Sequence, residues 1–171
     1  MTGSIGAVTF RTKMKFFPGS MILSLCLLGC PLRAGQLAVG DLVPTVTAKD
    51  QFGQDFLLAT NVQFLLVAAE MASAKTANQK LAEQGPGFLE RHHAAYLMDI
   101  HTMPGVARFF AFPKLRRYPQ RIVLVDSAPA LAAVPKRSEC LTVFSVTPAG
   151  RIMKIAFWNP FSEPADRCFV R

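Results

Sequence analysis

From Phe64 to Ala69 the chain is apolar without a break: Phe64-Leu65-Leu66-Val67-Ala68-Ala69, entered through Gln63. A run of this length containing Phe and Val reads as a strand buried on both faces. It gives way to Glu70-Met71-Ala72-Ser73 and then to a helical segment that stops at Gly85-Pro86-Gly87. A central strand therefore feeds a short loop and a helix N-terminus. In α/β sheets the crevice beyond the carboxyl end of such a strand is where sites are built.

The length of 171 residues suits one domain preceded by a targeting segment. Hydrophobic residues make up 51% and charged ones 18%, which sets the chain apart from disordered sequences. The formal net charge is +8, but Arg11, Lys13, Lys15 and Arg33 lie in the first 34 residues with no acid among them, so the remainder carries +4. That balance argues against a nucleic-acid partner. It leaves room for weak attraction to anionic membrane surfaces or acidic proteins.

Residues 1–34 read as an export leader. Arg11, Lys13 and Lys15 precede the apolar Met21-Ile22-Leu23-Ser24-Leu25-Cys26-Leu27-Leu28, and small residues follow. The apolar run is short for a bilayer span. Met14 is an alternative start. Leu27-Leu28-Gly29-Cys30 resembles a bacterial lipobox with Cys30 as the lipidated residue, although Pro31 directly after it is unusual there. Cleavage after Ala34 would instead release a soluble protein, and an uncut anchor is the third alternative. Cys26 and Cys30 belong to this leader, so the domain keeps only Cys140 and Cys168. An exported compartment permits a disulfide between them; two unpaired thiols fit equally.

Along the domain, Gln36 to Pro44 reads as an exposed lead-in. Thr45-Val46-Thr47 and Phe56-Leu57-Leu58 flank a turn at Asp50-Gln51-Phe52-Gly53-Gln54, which predicts a small hairpin. After the strand at 63–69, Ser73 is a candidate N-cap, and Ala74, Ala77 and Leu81 recur at helical spacing. Ala94 to Asp99 predicts a second strand. Pro104 opens a helix carrying Val106, Ala107, Phe109 and Phe110 up to Phe112-Pro113. Arg121 to Asp126 predicts a third strand, and 127–139 reads as loop. Cys140–Thr147 and Ile152–Phe157 alternate around Pro148-Ala149-Gly150, an antiparallel hairpin. The tail from Asn159, with Pro160 and Pro164, reads as irregular.

This order, a β-hairpin, then β-α-β-α-β, then β-β, resembles the thioredoxin-like superfamily, most closely its exported peroxiredoxin and TlpA-type branch. Gly40-Asp41-Leu42-Val43-Pro44 followed by Lys49-Asp50-Gln51-Phe52-Gly53-Gln54 is similar to that branch's opening segment. Tyr118-Pro119, before the strand at 121–126, looks like the family's cis-proline position. The resemblance covers roughly 40–158. It implies an α/β fold: a thioredoxin-like three-layer sandwich with a mixed central sheet, flanking helices and an N-terminal β-hairpin. The domains implied are a signal peptide or lipoprotein leader over 1–34, the thioredoxin-like domain over 35–158 and the irregular tail over 159–171.

The chain departs from the family where the chemistry should be. Redox members carry Cys-x-x-Cys or a peroxidatic Cys in the loop after the first central strand, where a helix N-terminus lowers the thiol pKa. Here that loop is Glu70-Met71-Ala72-Ser73, and residues 31–139 contain no cysteine. Ser73 has no visible means of ionisation. The expectation is therefore a non-enzymatic binding or assembly module of the bacterial cell envelope, working through a crevice of Glu70, Met71, Ser73, Tyr118 and Pro119. Its expected partner is an envelope protein of unknown identity, with membrane attachment through the N-terminus as an option. No catalytic residue, metal or cofactor is assigned.

Two other readings stand beside it. One is a thiol-disulfide oxidoreductase or peroxiredoxin-like protein using Cys140 and Cys168. The other is copper handling, since Met98, His101 and Met103 surround the end of the second strand and suit a soft metal. Met98 equally suits a core position. His92 and His93 read as solvated loop residues. Lys114, Arg116, Arg117 and Arg121 form a basic group that reads as a solvated face, or as a contact for an acidic partner or lipid headgroups.

The leader makes a direct prediction. Intact mass or N-terminal sequencing of exported protein should show loss of the first 29 or the first 34 residues. Cytoplasmic protein with an intact N-terminus would reject export.

Overall fold

A computed structural model describes residues 35–58 and 61–169; the expected leader, Cys30 included, lies outside them. The elements are β1 (Ala48–Asp50), β2 (Asp55–Phe56), β3 (Phe64–Ala68), α1 (Met71–Glu83), α2 (Phe88–Arg91), β4 (Ala94–Asp99), α3 (Gly105–Leu115), β5 (Val123–Val125), α4 (Ala128–Ala132), β6 (Leu141–Val146) and β7 (Ile152–Trp158). A 3-10 helix over Ala165–Phe169 follows. The strands form one mixed sheet in the order β2-β1-β5-β4-β3-β6-β7. Strands β3, β4 and β5 are parallel, whereas β6 is antiparallel to β3 and β1 is antiparallel to β5.

Every residue of β3 is buried, because the strand has a layer on each side. Phe64, Leu66 and Ala68 point into one core with Ala74, Ala77 and Leu81 of α1. Leu65 and Val67 point into the other with Leu131 of α4. Strand β4 splits the same way, Tyr96 and Met98 to the α1 side and Ala95 and Leu97 to the α4 side. The α/β class with helices on both faces is thus as expected. Alanines on α1 let its backbone approach the sheet, and the buried Tyr96 hydroxyl donates to the Ala74 carbonyl at 3.4 Å.

Several local boundaries differ from the sequence reading. Strand β1 starts at Ala48 rather than Thr45, because the turn that fixes it is built on Asp50. The Asp50 carboxylate accepts the N–H groups of Phe52 and Gln54, both at 2.9 Å, while Gly53 takes φ 85°. Such an Asx-type turn sets the register of the hairpin. Helix α3 runs on to Leu115 through Pro113. The stretch 127–139 is not all loop: Pro129 in the first turn presets α4, which places Leu131 against the sheet.

The tail is also ordered as far as Phe169. Trp158 Nε1 donates to the Pro164 carbonyl at 3.1 Å, and Lys80 Nζ donates to the Glu163 carbonyl at 3.2 Å. Ala165 and Cys168 of the 3-10 helix then enter the α1-side core. Phe169 packs edge-on against Phe64 and Phe88 and stacks on His92 at 4.2 Å.

Asp50 joins the hairpin to the approach of β5. Its side chain is 2% exposed and accepts from Arg121 Nε at 3.0 Å. Burial would raise its pKa, yet the Gln54 and Phe52 N–H groups and the Arg121 guanidinium hold it below its ordinary 3.8. A depressed carboxylate pKa adds stability above the unfolded-state value and loses it as pH falls through the folded-state value. Asp50→Asn should cost about 2 kcal/mol at pH 7 by urea denaturation. The difference between the two proteins should shrink as the pH is taken below 3.8. A difference independent of pH would show that the charge of Asp50 is not what matters.

Candidate functional site

Strand β6 lies antiparallel beside β3, with Val67 opposite Thr142. The approach to β6 is therefore next to the exit of β3. Helix α1 leaves β3 over one face of the sheet, and α4 precedes β6 on the other. The crevice between these two strands is the topological switch point of the sheet.

Glu70 occupies the cap position of α1 in extended backbone, φ −119° and ψ 138°. The chain enters the helix straight from a strand, so the residue after β3 takes the cap and α1 begins at Met71. Ser73, a candidate cap, instead sits in the first turn. It is fully buried, and its hydroxyl donates back to the Glu70 carbonyl at 3.1 Å. The Glu70 carboxylate makes no capping bond. Its Oε2 reaches across the crevice and accepts the N–H of Glu139 at 3.2 Å. Met71 beside it is 45% exposed.

Glu139 holds φ 61°, a left-handed conformation in which Cβ crowds the backbone. That conformation turns the chain into β6 and aims the Glu139 N–H at Glu70. Behind it, the Thr142 hydroxyl donates to the Pro135 carbonyl, which holds the base of the loop over 135–140.

Tyr118 and Pro119 are not part of this crevice. Strand β5 is parallel to β3, so the residues before it lie at the entry end of the sheet, where Gln63 N–H donates to His93 O at 2.7 Å. Glu70 lies at the exit end. Among the described residues no peptide bond is cis, so Pro119 is trans. The chain has another X-Pro before a strand, Val134-Pro135 before β6. Antiparallel pairing of β6 with β3 brings that segment to the crevice. The legible terminal hairpin carried the signal: whatever precedes its first strand faces the exit of the strand it joins.

Cys140 and Cys168 are both buried free thiols, so of the two alternatives the unpaired one is found. They belong to different surroundings. Cys168 packs in the core with Leu141, Trp158 and Ala165, whereas Cys140 sits outside both core groups at the start of β6. Burial pushes the Cys140 thiol up, and Glu163, Glu139 and Glu70 add to that against an opposing effect of Arg137. Burial also pushes the Cys168 thiol up, reinforced by Glu163 and Asp166. Three carboxylates near Cys140 thus oppose formation of a thiolate at the crevice.

The remaining candidates are dispersed. Met98 and Met103 are buried in the core, while His101 is exposed. Among the described residues no group of three or more His, Cys, Asp or Glu side chains converges as a metal site. His92 is half-buried in its stack with Phe169. Exposed His93 takes φ 50° and lines a cavity of about 250 Å³ at the entry end, with Phe56, Tyr96 and Arg121. Arg116 Nε donates to the Gln51 carbonyl at 3.0 Å, and Arg121 is held by Asp50. Part of the basic group is therefore structural.

No protein-family model matches the sequence, and no curated protein matches it. Solved structures do. The chain is similar to the thioredoxin domain of a thiol-disulfide oxidoreductase from Bacteroides vulgatus, with 16% identity and a TM-score of 0.52 over 78% of this chain and 94% of that one. It is also similar to a PrxQ mutant from Xylella fastidiosa, with 14% identity and a TM-score of 0.51 over 78% of this chain and 92% of that one. The fold is thioredoxin-like.

The strained turn at Glu139 makes a prediction about the crevice itself. Glu139→Gly keeps the N–H that Glu70 accepts and removes the crowded Cβ. The relief exceeds the extra chain entropy of glycine, so the variant should gain about 0.5–1 kcal/mol by urea denaturation. A loss of stability would mean that the Glu139 side chain contributes more than its backbone costs.

Proposed function

We propose that the protein is an exported thioredoxin-like binding or assembly module of the bacterial cell envelope that performs no thiol chemistry at the exit of β3. The observation that carries this reading is the Glu70–Glu139 contact. Where this fold joins its central strand to a helix N-terminus, a carboxylate bridges the crevice. Disulfide exchange needs a thiolate to attack and a second thiol to resolve the mixed disulfide. The helix start that would stabilise a thiolate carries Glu70 and Met71, and residues 31–139 have no cysteine.

What the crevice offers is a rim for another protein. Met71 is an exposed, adaptable apolar contact beside an acidic group that is already engaged. The envelope location rests on the basic, apolar and small-residue order of the leader. Attachment through Cys30 and release after Ala34 are its two forms. Among the described residues no helix is long and apolar enough to cross a membrane.

A second reading, an oxidoreductase in which Cys140 attacks and Cys168 resolves, has specific support. Cys140 follows Glu139 directly at the crevice, and the Bacteroides vulgatus protein is a thiol-disulfide oxidoreductase by name. The raised pKa of both thiols weighs against it. Insulin reduction by dithiothreitol separates the two. Neither the native protein nor Cys140→Ser, Cys168→Ser should accelerate it. Turnover by the native protein that disappears in the double variant would overthrow the binding-module reading.

A further inference from the structure

Helix α3 is apolar on two opposite sides. Its inner side is formed by Arg108, Ala111, Phe112 and Leu115, spaced one helical turn apart; Leu115 is buried and the others are half-buried. The outer side repeats the same spacing with Val106, Phe109, Phe110 and Pro113. Val106 is 74% exposed, Phe109 76% and Phe110 63%. The two Phe rings meet edge-to-face at 5.4 Å and form a continuous apolar ridge. Neither side is turned by accident. Arg108 holds the helix in orientation through a two-pronged ion pair with Asp126, and it also donates to the carbonyls of Met103 and Ile100, each at 2.9 Å. The inner side is fixed to the sheet, so the outer side must face outward.

Charge continues the pattern. From Ile100 to Val125 the chain has five basic residues and no acid. Arg108, Arg116 and Arg121 are turned onto protein groups. Lys114 and Arg117 are exposed and make no ion pair among the described residues. Lys114 lies four residues beyond Phe110, which places it on the outer side, and Arg117 follows in the turn just past the end of the helix. The face is therefore an aromatic ridge that ends in two uncommitted cations.

We propose that the outer face of α3 docks on an anionic lipid bilayer. A helix that sets Phe into the headgroup boundary and Lys or Arg onto anionic lipid satisfies both halves of this pattern. A second copy of the chain fits poorly, because a contact between two copies of this face would bring four cations together with no acid from residues 100–125 to pair them. An acidic protein would have to supply a groove for a convex ridge. The neighbouring cavity of about 440 Å³ lies on the inner side of α3, between Phe112, Arg116 and β1. A fluid bilayer needs no preformed groove. This docking is independent of the leader and of the crevice at Glu70.

The test uses the full chain carrying Phe109→Trp, with buried Trp158 as a constant background. Vesicles of brominated phosphatidylglycerol should blue-shift and quench the introduced indole, and brominated phosphatidylcholine vesicles should not. Phe110→Trp repeats the measurement one residue along, and circular dichroism melting confirms the fold of each variant. Adding Lys114→Gln and Arg117→Gln should weaken the partition that quenching reports by about thirtyfold. Equal quenching by phosphatidylcholine, or no effect of the charge variants, would overturn the proposal. So would vesicle sedimentation without quenching, which would place the membrane contact elsewhere in the chain. A blue shift with polyglutamate but not with vesicles would assign the face to an acidic protein and reject the bilayer.

Discussion

The structure depends on the two different neighbours of β3. On one side Leu66 pairs with Tyr96 of a parallel strand, and on the other with Val143 of an antiparallel one. A parallel neighbour requires a crossover, which α1 and α2 supply over one face. An antiparallel neighbour must be entered from the opposite end, and α4 leads to it over the other face. Burial of β3 on both sides follows from this arrangement, and so does the crevice at its exit. The apolar run thus contributes to both cores and is the element that fixes where a site can be.

At that exit, electrostatics favour closure over reactivity. The Glu70 carboxylate is spent on a backbone N–H of the facing loop. Cys140 lies close enough to feel Glu70, Glu139 and Glu163, and each of them disfavours its ionised form. Carboxylates thus surround a buried thiol on the far side of the crevice from the start of α1.

Elements whose evidence is local were legible in the sequence. The apolar run of β3, the alternation of β6 and β7 and the spacing of Ala74, Ala77 and Leu81 each state their own structure. So did the position of Glu70, Met71 and Ser73, which follow β3 directly. What was not legible depends on contacts between distant residues. The helical turn at 165–169 contains a Pro-flanked polar stretch and orders only because Cys168 and Phe169 find a core waiting. Helix α4 is five residues long, too short to hold itself without Leu131 packing on the sheet. Assigning Tyr118 and Pro119 to the crevice required the sheet order, which no local pattern contains. The same order brings in residues 135–140 instead.

The closing 3-10 helix bears on how the chain reaches this state. The core on the α1 side includes Leu141, Trp158, Ala165 and Cys168, with Phe169 laid over Phe64. During synthesis α1 is complete long before these residues have emerged, and until then its apolar face has only part of its cover. Helices of this length gain most of their stability from tertiary packing rather than from their own propensity. The nascent chain therefore stays incompletely folded until residues 141–169 have emerged. Over that interval the sheet face that α1 covers is exposed, and it is the part of the molecule most open to chaperones or to self-association.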